Sequence, residues 1–169
     1  MQITRATDYA VRVMIHLAGL PTGSSVRQSE LSQATDVSGY FLSKVLQQLV
    51  RSRLIRSQRG TGGGYTLAAS AATVSLLDIV EAMEGPIRLN QCLEEGPSCD
   101  RKSWCPAHQV WAEAQMAVAQ VLGAASIARL AAQAAISSPA LYRRHDNPIW
   151  ISGIPRKGHG KRIRRNHGP

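Results

Sequence analysis

Cysteine is absent from the first 91 residues and from everything beyond residue 105, so Cys92, Cys99 and Cys105 all fall within the stretch QCLEEGPSCDRKSWCPAHQVW. An odd number of cysteines, with no secretion signal beside them, argues against a disulfide framework and for metal or redox chemistry. The N-terminal stretch MQITRATDYAVRVM lacks the basic start, apolar core and small-residue cleavage site of a signal peptide, which makes a cytoplasmic location the expectation. Long hydrophobic runs are missing as well: none approaches the ~18 apolar residues of a membrane span, so no membrane partner is expected. At 169 residues the chain accommodates one domain, or a small domain with an extended element, and excludes a large multidomain enzyme. No internal repeat occurs. The glycine-rich GTGGGY lacks both the GKS/GKT ending of a P-loop and the G-x-G-x-x-G context of a dinucleotide site, which disfavours a nucleotide-binding enzyme.

Acidic residues are scarce only at one end. The net charge of +9 invites a nucleic-acid partner, but positions 139–169 carry eight Lys/Arg against one Asp, leaving 12 basic against 10 acidic residues in 1–138. DNA binding therefore has to be argued from local motifs.

Those motifs are present. Residues 4–20 place Ala6, Ala10, Val11, Val13, Met14, Leu17 and Ala18 at helical spacing, and Gly19 with Pro21 ends the run. Ser25 and Gln28 have capping-box spacing for a second helix over about 26–35. Ser38 can cap a third, whose Leu42, Val45, Leu46, Leu49 and Val50 form one apolar face. Two strand-like pieces, 54–57 and 64–67, flank the glycine-rich turn as a hairpin. A fourth helix in SLLDIVEAMEG ends at Gly85. A long Ala-rich helix is expected over 106–133, with a stripe of Trp111, Ala114, Val118, Val121, Leu122 and Ala125 that the chain's own remainder cannot cover, so a second copy is the expected cover. The fold class is mainly α: a winged helix-turn-helix with a small β-hairpin wing and a long C-terminal dimerisation helix. The expected divisions are 1–85 for DNA binding, 86–105 for the cysteine loop, 106–133 for dimerisation and 134–169 for a basic, disordered tail.

The second helix of a helix-turn-helix enters the major groove, where short polar and amide side chains read base edges and basic ones hold phosphates. Ser38, Tyr40, Ser43, Lys44 and Gln47 suit base reading; Arg51, Arg53, Arg56 and Arg59 suit backbone contacts or minor-groove insertion. A merely solvated polar face is the alternative, weakened by the adjoining RGTGGGY hairpin.

The cysteine loop has the spacing C-x6-C-x5-C-x2-H, with Cys105 and His108 at the start of the long helix and Pro106 in its first turn. A thiolate there lies at the positive helix end, and His108 is one turn on. Three thiolates and an imidazole satisfy either tetrahedral zinc or an iron-sulfur cluster. Structural zinc usually brings one tight C-x2-4-C pair, and the wide spacing here suits a cluster; zinc stays open, as do three unrelated cysteines. His16 reads as core-edge, and His145, His159 and His167 carry no ligand signal.

TDYAVRVMIHLA, FLSKVLQQLVRSRLIRSQRGTGGGYTLA and CPAHQVW after two earlier cysteines resemble the Rrf2 family of winged-helix transcription regulators, in its iron-sulfur branch of IscR-like and NsrR-like members, over about residues 1–133. The resemblance implies a homodimer with crossed long helices, a double-stranded DNA operator, and Cys92, Cys99 and Cys105 as cluster ligands. IscR-like members place a histidine ligand where His108 stands; NsrR-like members use an acidic residue on the partner subunit's first helix, where Asp8 stands. The C-x2-H running into an aromatic-bearing helix favours His108 with a 2Fe-2S cluster over a 4Fe-4S cluster. The function expected is that of a repressor whose operator binding follows iron-sulfur status, redox stress or nitric oxide. A zinc-stabilised DNA-binding regulator without redox sensing and an iron-sulfur carrier are the alternatives. Two features depart from the family pattern: the first cysteine gap is one residue longer than usual, and Arg53 replaces a customary glycine, which predicts a strained turn.

Overall fold

The computed structural model describes residues 3–60, 62–94 and 99–136. The expected disordered tail lies, from residue 137 on, outside the described residues; positions 134–136 complete a helix.

The helix α1 (Arg5–Ala18) starts at Thr4, whose hydroxyl accepts from the Thr7 N–H, and buries Thr7, Ala10, Val13, Met14 and Leu17 on one face. Next comes α2 (Gln28–Thr35), which begins later than expected. Ser25 does not cap it. Val26 is held extended by a two-way backbone pairing with Tyr65, at 3.0 and 2.8 Å, so the helix starts one residue on from Arg27, whose N–H donates to the Glu30 carboxylate at 2.9 Å. Asp36 adopts a left-handed conformation (φ 54°) that turns the chain into α3 (Gly39–Arg51). Ser38 occupies the cap position of α3, as expected, without a side-chain capping bond. The residues Leu42, Val45, Leu46 and Leu49 pack into the common core with Met14, Leu31, Ile55 and Ile79.

The wing pairs β1 (Ile55–Gln58) with β2 (Gly64–Leu67), antiparallel, in register Ile55↔Leu67 to Gln58↔Gly64. Val26 joins its outer edge. A Cβ on Gly64 would stand 2.6 Å from the Val26 carbonyl oxygen, so the glycine-rich turn serves close backbone approach. Entry to the wing passes through Arg53, at φ 58°, in the strained turn expected of a non-glycine there. Left-handed backbone costs an L-residue about 1–2 kcal/mol. Arg53→Gly is therefore expected to raise stability by about 1 kcal/mol, after allowing for glycine's larger unfolded-state entropy, in urea unfolding of both proteins. An unchanged or lowered midpoint contradicts this.

A reciprocal Ser75–Asp78 capping box starts α4 (Leu76–Glu84), and Gly85 ends it at φ 82°. A 3-10 turn, Gln91–Leu93, leads into the cysteine loop.

The single helix expected over 106–133 is two helices, α5 (Pro106–Gly123) and α6 (Ile127–Ile136). The break is fixed by backbone bonds to a distant segment: Leu76 N–H to Ala125 O at 2.8 Å, Ile127 N–H to Val74 O at 2.9 Å and Ala128 N–H to Ala71 O at 3.0 Å. Ser126 then caps α6 by accepting from the Arg129 N–H at 3.3 Å. As a result α6 packs against α1 and buries Ile127 and Ala131 in the chain's own core. Ala125, expected on the stripe for a second copy, is buried there too. By contrast α5 buries none of its residues, and Val110, Trp111, Met116 and Val121 stay exposed.

Candidate functional site

Two regions bear the residues that the sequence marks. The first is the α2–turn–α3 unit. Gln28 of α2 donates through Nε2 to Ser43 Oγ at 2.7 Å and to Gly39 O at 3.1 Å, and Ser43 in turn donates to Gly39 O at 2.8 Å. Ser43 is half-buried and spends its hydroxyl proton inside the turn, so it fixes the angle between the two helices. Gln28 was missed as its counterpart; only its place at the start of α2 could have drawn notice. Ser38, at the N-cap of α3, and Tyr40, Lys44, Gln47 and Arg51, on the helix, are exposed. Lys44 holds its ammonium 4.7 Å from the centre of the Tyr40 ring, a cation–π contact. On the wing, Arg56 points away from buried Ile55, and Arg59 is exposed at the tip.

A third element ties this unit to the rest. Gln48 Nε2 of α3 donates to Ala82 O of α4 at 2.9 Å. The far end of α4 is clamped to α1: Glu84 accepts from the Thr4 N–H at 3.0 Å, from the Thr4 hydroxyl at 2.7 Å and from the Thr7 hydroxyl. Glu84 was not legible from the sequence, because its partners lie 77 and 80 residues away. Burial pushes its carboxyl up, but the bonds from Thr7 and Thr4 outweigh that and hold it below its ordinary value. A depressed carboxylate stabilises the fold above the unfolded-state value of 4.5, and that contribution fades as pH falls through the lower folded value. The wild-type Tm is thus expected to drop more steeply than that of Glu84→Gln below about pH 4.5, where parallel curves would contradict the clamp.

The second region is the cysteine loop. Cys92 and Cys105 are half-buried, Cys99 is exposed, and all three are free thiols. Cys92 sits on the 3-10 turn, which packs on α5. Cys105 occupies the N-cap of α5 with Pro106 behind it, as the spacing predicted, and its N–H is fixed to Arg101 O at 2.8 Å. His108 follows within the first turn. Its Nδ1 is, among the described residues, the one buried side-chain nitrogen or oxygen without a hydrogen-bond partner. Such an orphan costs on the order of 1–3 kcal/mol unless something occupies it. Asp8 is exposed on α1 and paired with Arg12 at 2.7 Å. Among the described residues no three His, Cys, Asp or Glu side chains lie together at metal-binding distance. The donor types fit a thiophilic metal centre, namely three free thiols and an unpartnered imidazole nitrogen. His16 is half-buried on α1, and burial lowers its pKa, in keeping with a core-edge role.

Residues 3–133 match the Rrf2 family, described as an iron-dependent transcriptional regulator. The chain belongs to the Rrf2 family. An HTH-type transcriptional regulator of Neisseria meningitidis serogroup A is 30% identical over 127 residues, 75% of this chain and 85% of that protein. One from Mycobacterium tuberculosis is 36% identical over 87 residues, 52% and 54% of the two chains. Among solved structures, CymR of B. subtilis, described as its global cysteine regulator, is similar at 26% identity and TM-score 0.62, covering 79% of this chain and 98% of that one. IscR of T. potens matches at TM-score 0.65 with 20% identity, over 82% and 91%, a likeness of fold. This Rrf2 protein is accordingly a DNA-binding transcriptional regulator of winged-helix type. No helix among its described residues is long and apolar enough to cross a membrane.

Proposed function

We propose that this Rrf2 regulator binds its operator as a homodimer and holds an iron-sulfur cluster on Cys92, Cys99, Cys105 and His108 that sets operator affinity. The observation that carries the cluster reading is the orphaned, buried His108 Nδ1, one turn from the thiol at the helix start. It also favours His108 over Asp8, whose carboxylate already faces Arg12, and with it a 2Fe-2S cluster over 4Fe-4S. When bound, the cluster supplies a centre that reacts with oxidants or nitric oxide. Ser38, Tyr40, Lys44 and Gln47 face the bases; Arg51, Arg56 and Arg59 meet the backbone.

The chain's own contacts supply the coupling. Leu89 N–H donates to Gln115 Oε1 of α5 at 3.1 Å, and Arg88 Nη1 donates to Leu93 O beside Cys92 at 3.3 Å. The segment between α4 and the loop is thereby fastened to α5, while Gln48 fastens α4 to α3. A change in the loop's hold on α5 shifts α4, and with it the angle at which α3 meets DNA. The unburied α5 supplies the dimer face, and repression is the expected sense of regulation.

Native mass spectrometry of protein purified without oxygen tests the reading. A dimer carrying one 2Fe-2S mass increment per chain is expected. A 4Fe-4S increment moves the fourth ligand to Asp8, and zinc alone or no metal contradicts the proposal.

A further inference from the structure

The chain has a single phenylalanine, and the fold leaves it out of the core. Phe41 lies in the first turn of α3 and is 56% exposed, beside Tyr40 at 68%. All the buried side chains of that helix are aliphatic. The two rings meet edge to face, with centroids 5.6 Å apart and planes at 78°, which restricts Phe41 to few orientations. Lys44 over the Tyr40 ring places a cation next to the pair, and the Gln28–Ser43–Gly39 brace fixes the turn from which both project.

The first turn of a recognition helix is the part that reaches base edges. Phenyl has no donor or acceptor, so in the major groove it can distinguish only the apolar feature, the 5-methyl group of thymine. We propose that Phe41, held edge-on by Tyr40, is a specificity-determining residue that reads thymine methyl groups in the operator. The inference rests on the DNA-binding reading of α3 but is independent of the cluster.

The test begins with an operator selected from random duplexes by the wild-type protein. Each thymine is then replaced in turn by deoxyuridine, which removes the methyl and leaves base pairing intact. Wild type is expected to lose about fourfold in affinity at one or two positions, the value of one buried methyl. Phe41→Ala is expected to bind more weakly and to treat thymine and uracil alike, while Phe41→Leu keeps part of the preference. Because Phe41 is exposed, circular dichroism and Tm of both variants should match wild type. Uracil insensitivity of the wild type, or an undiminished methyl preference in Phe41→Ala, overturns the inference and leaves DNA binding standing. Failure of the wild type to select any duplex overturns both.

Discussion

Cys105→Ala is expected to abolish cluster loading completely while leaving a folded dimer. Cys105 contributes to the fold through its backbone, as the N-cap of α5 with its N–H on Arg101 O, and alanine keeps those bonds. Its side chain is only half-buried and lies outside the core, so its removal costs little. Losing one of three thiolates leaves two thiols and an imidazole, too few soft donors for a cluster. Iron content and visible absorbance of anaerobically prepared protein report loading, and circular dichroism with analytical ultracentrifugation reports fold and dimer. A variant that unfolds would point to a structural zinc site, whose binding energy is folding energy. A variant that keeps its iron would remove Cys105 from the ligand set.

Val121→Glu is the second large effect. Val121 is 71% exposed in the protomer, so glutamate costs the isolated chain almost nothing. In a two-fold dimer through α5 the same change buries a carboxylate twice, at several kcal/mol per ion. The variant is expected to sediment as a folded monomer at micromolar concentration. Because two linked heads bind two half-sites as one ligand, operator affinity should then fall about a hundredfold or more. Retention of dimer with wild-type DNA affinity would place the interface elsewhere. The α6 segment is the poorer target, since Ile127 and Ala131 already serve the protomer's own core.

The winged-helix half of the molecule was legible because its signals are local. Leu42, Val45, Leu46 and Leu49 announce α3 by spacing and Gly85 stops α4, while the strain at Arg53 was foreseen only through the family resemblance, which places a glycine there. What escaped depends on partners far along the chain. Residues 124–126 read as continuous helix because Ala-rich sequence favours it, and only pairing with residues 71–76 breaks it. Ser126, three residues before Arg129, was a capping signal that the small-residue stripe concealed. Val26 could not be seen to leave α2, because its strand partner, Tyr65, belongs to the wing. Glu84, reaching back to Thr4 and Thr7, carries no sequence mark at all. In the cysteine loop the donor types and the place of Cys105 at a helix start were legible. The mutual placement of the donors was not, since it depends on a loop that spacing alone leaves unshaped, with residues 95–98 outside the described set.

Control of operator affinity by the state of the Cys92–Cys105 loop is what we propose. It is tested most directly by titrating one operator with one anaerobic preparation by fluorescence anisotropy, before and after iron is removed with a ferrous chelator. The expected result is an affinity change of about tenfold or more, within the ordinary range of coupling between sites, and no such change in Cys105→Ala. Identical titrations for the loaded and stripped protein would contradict it.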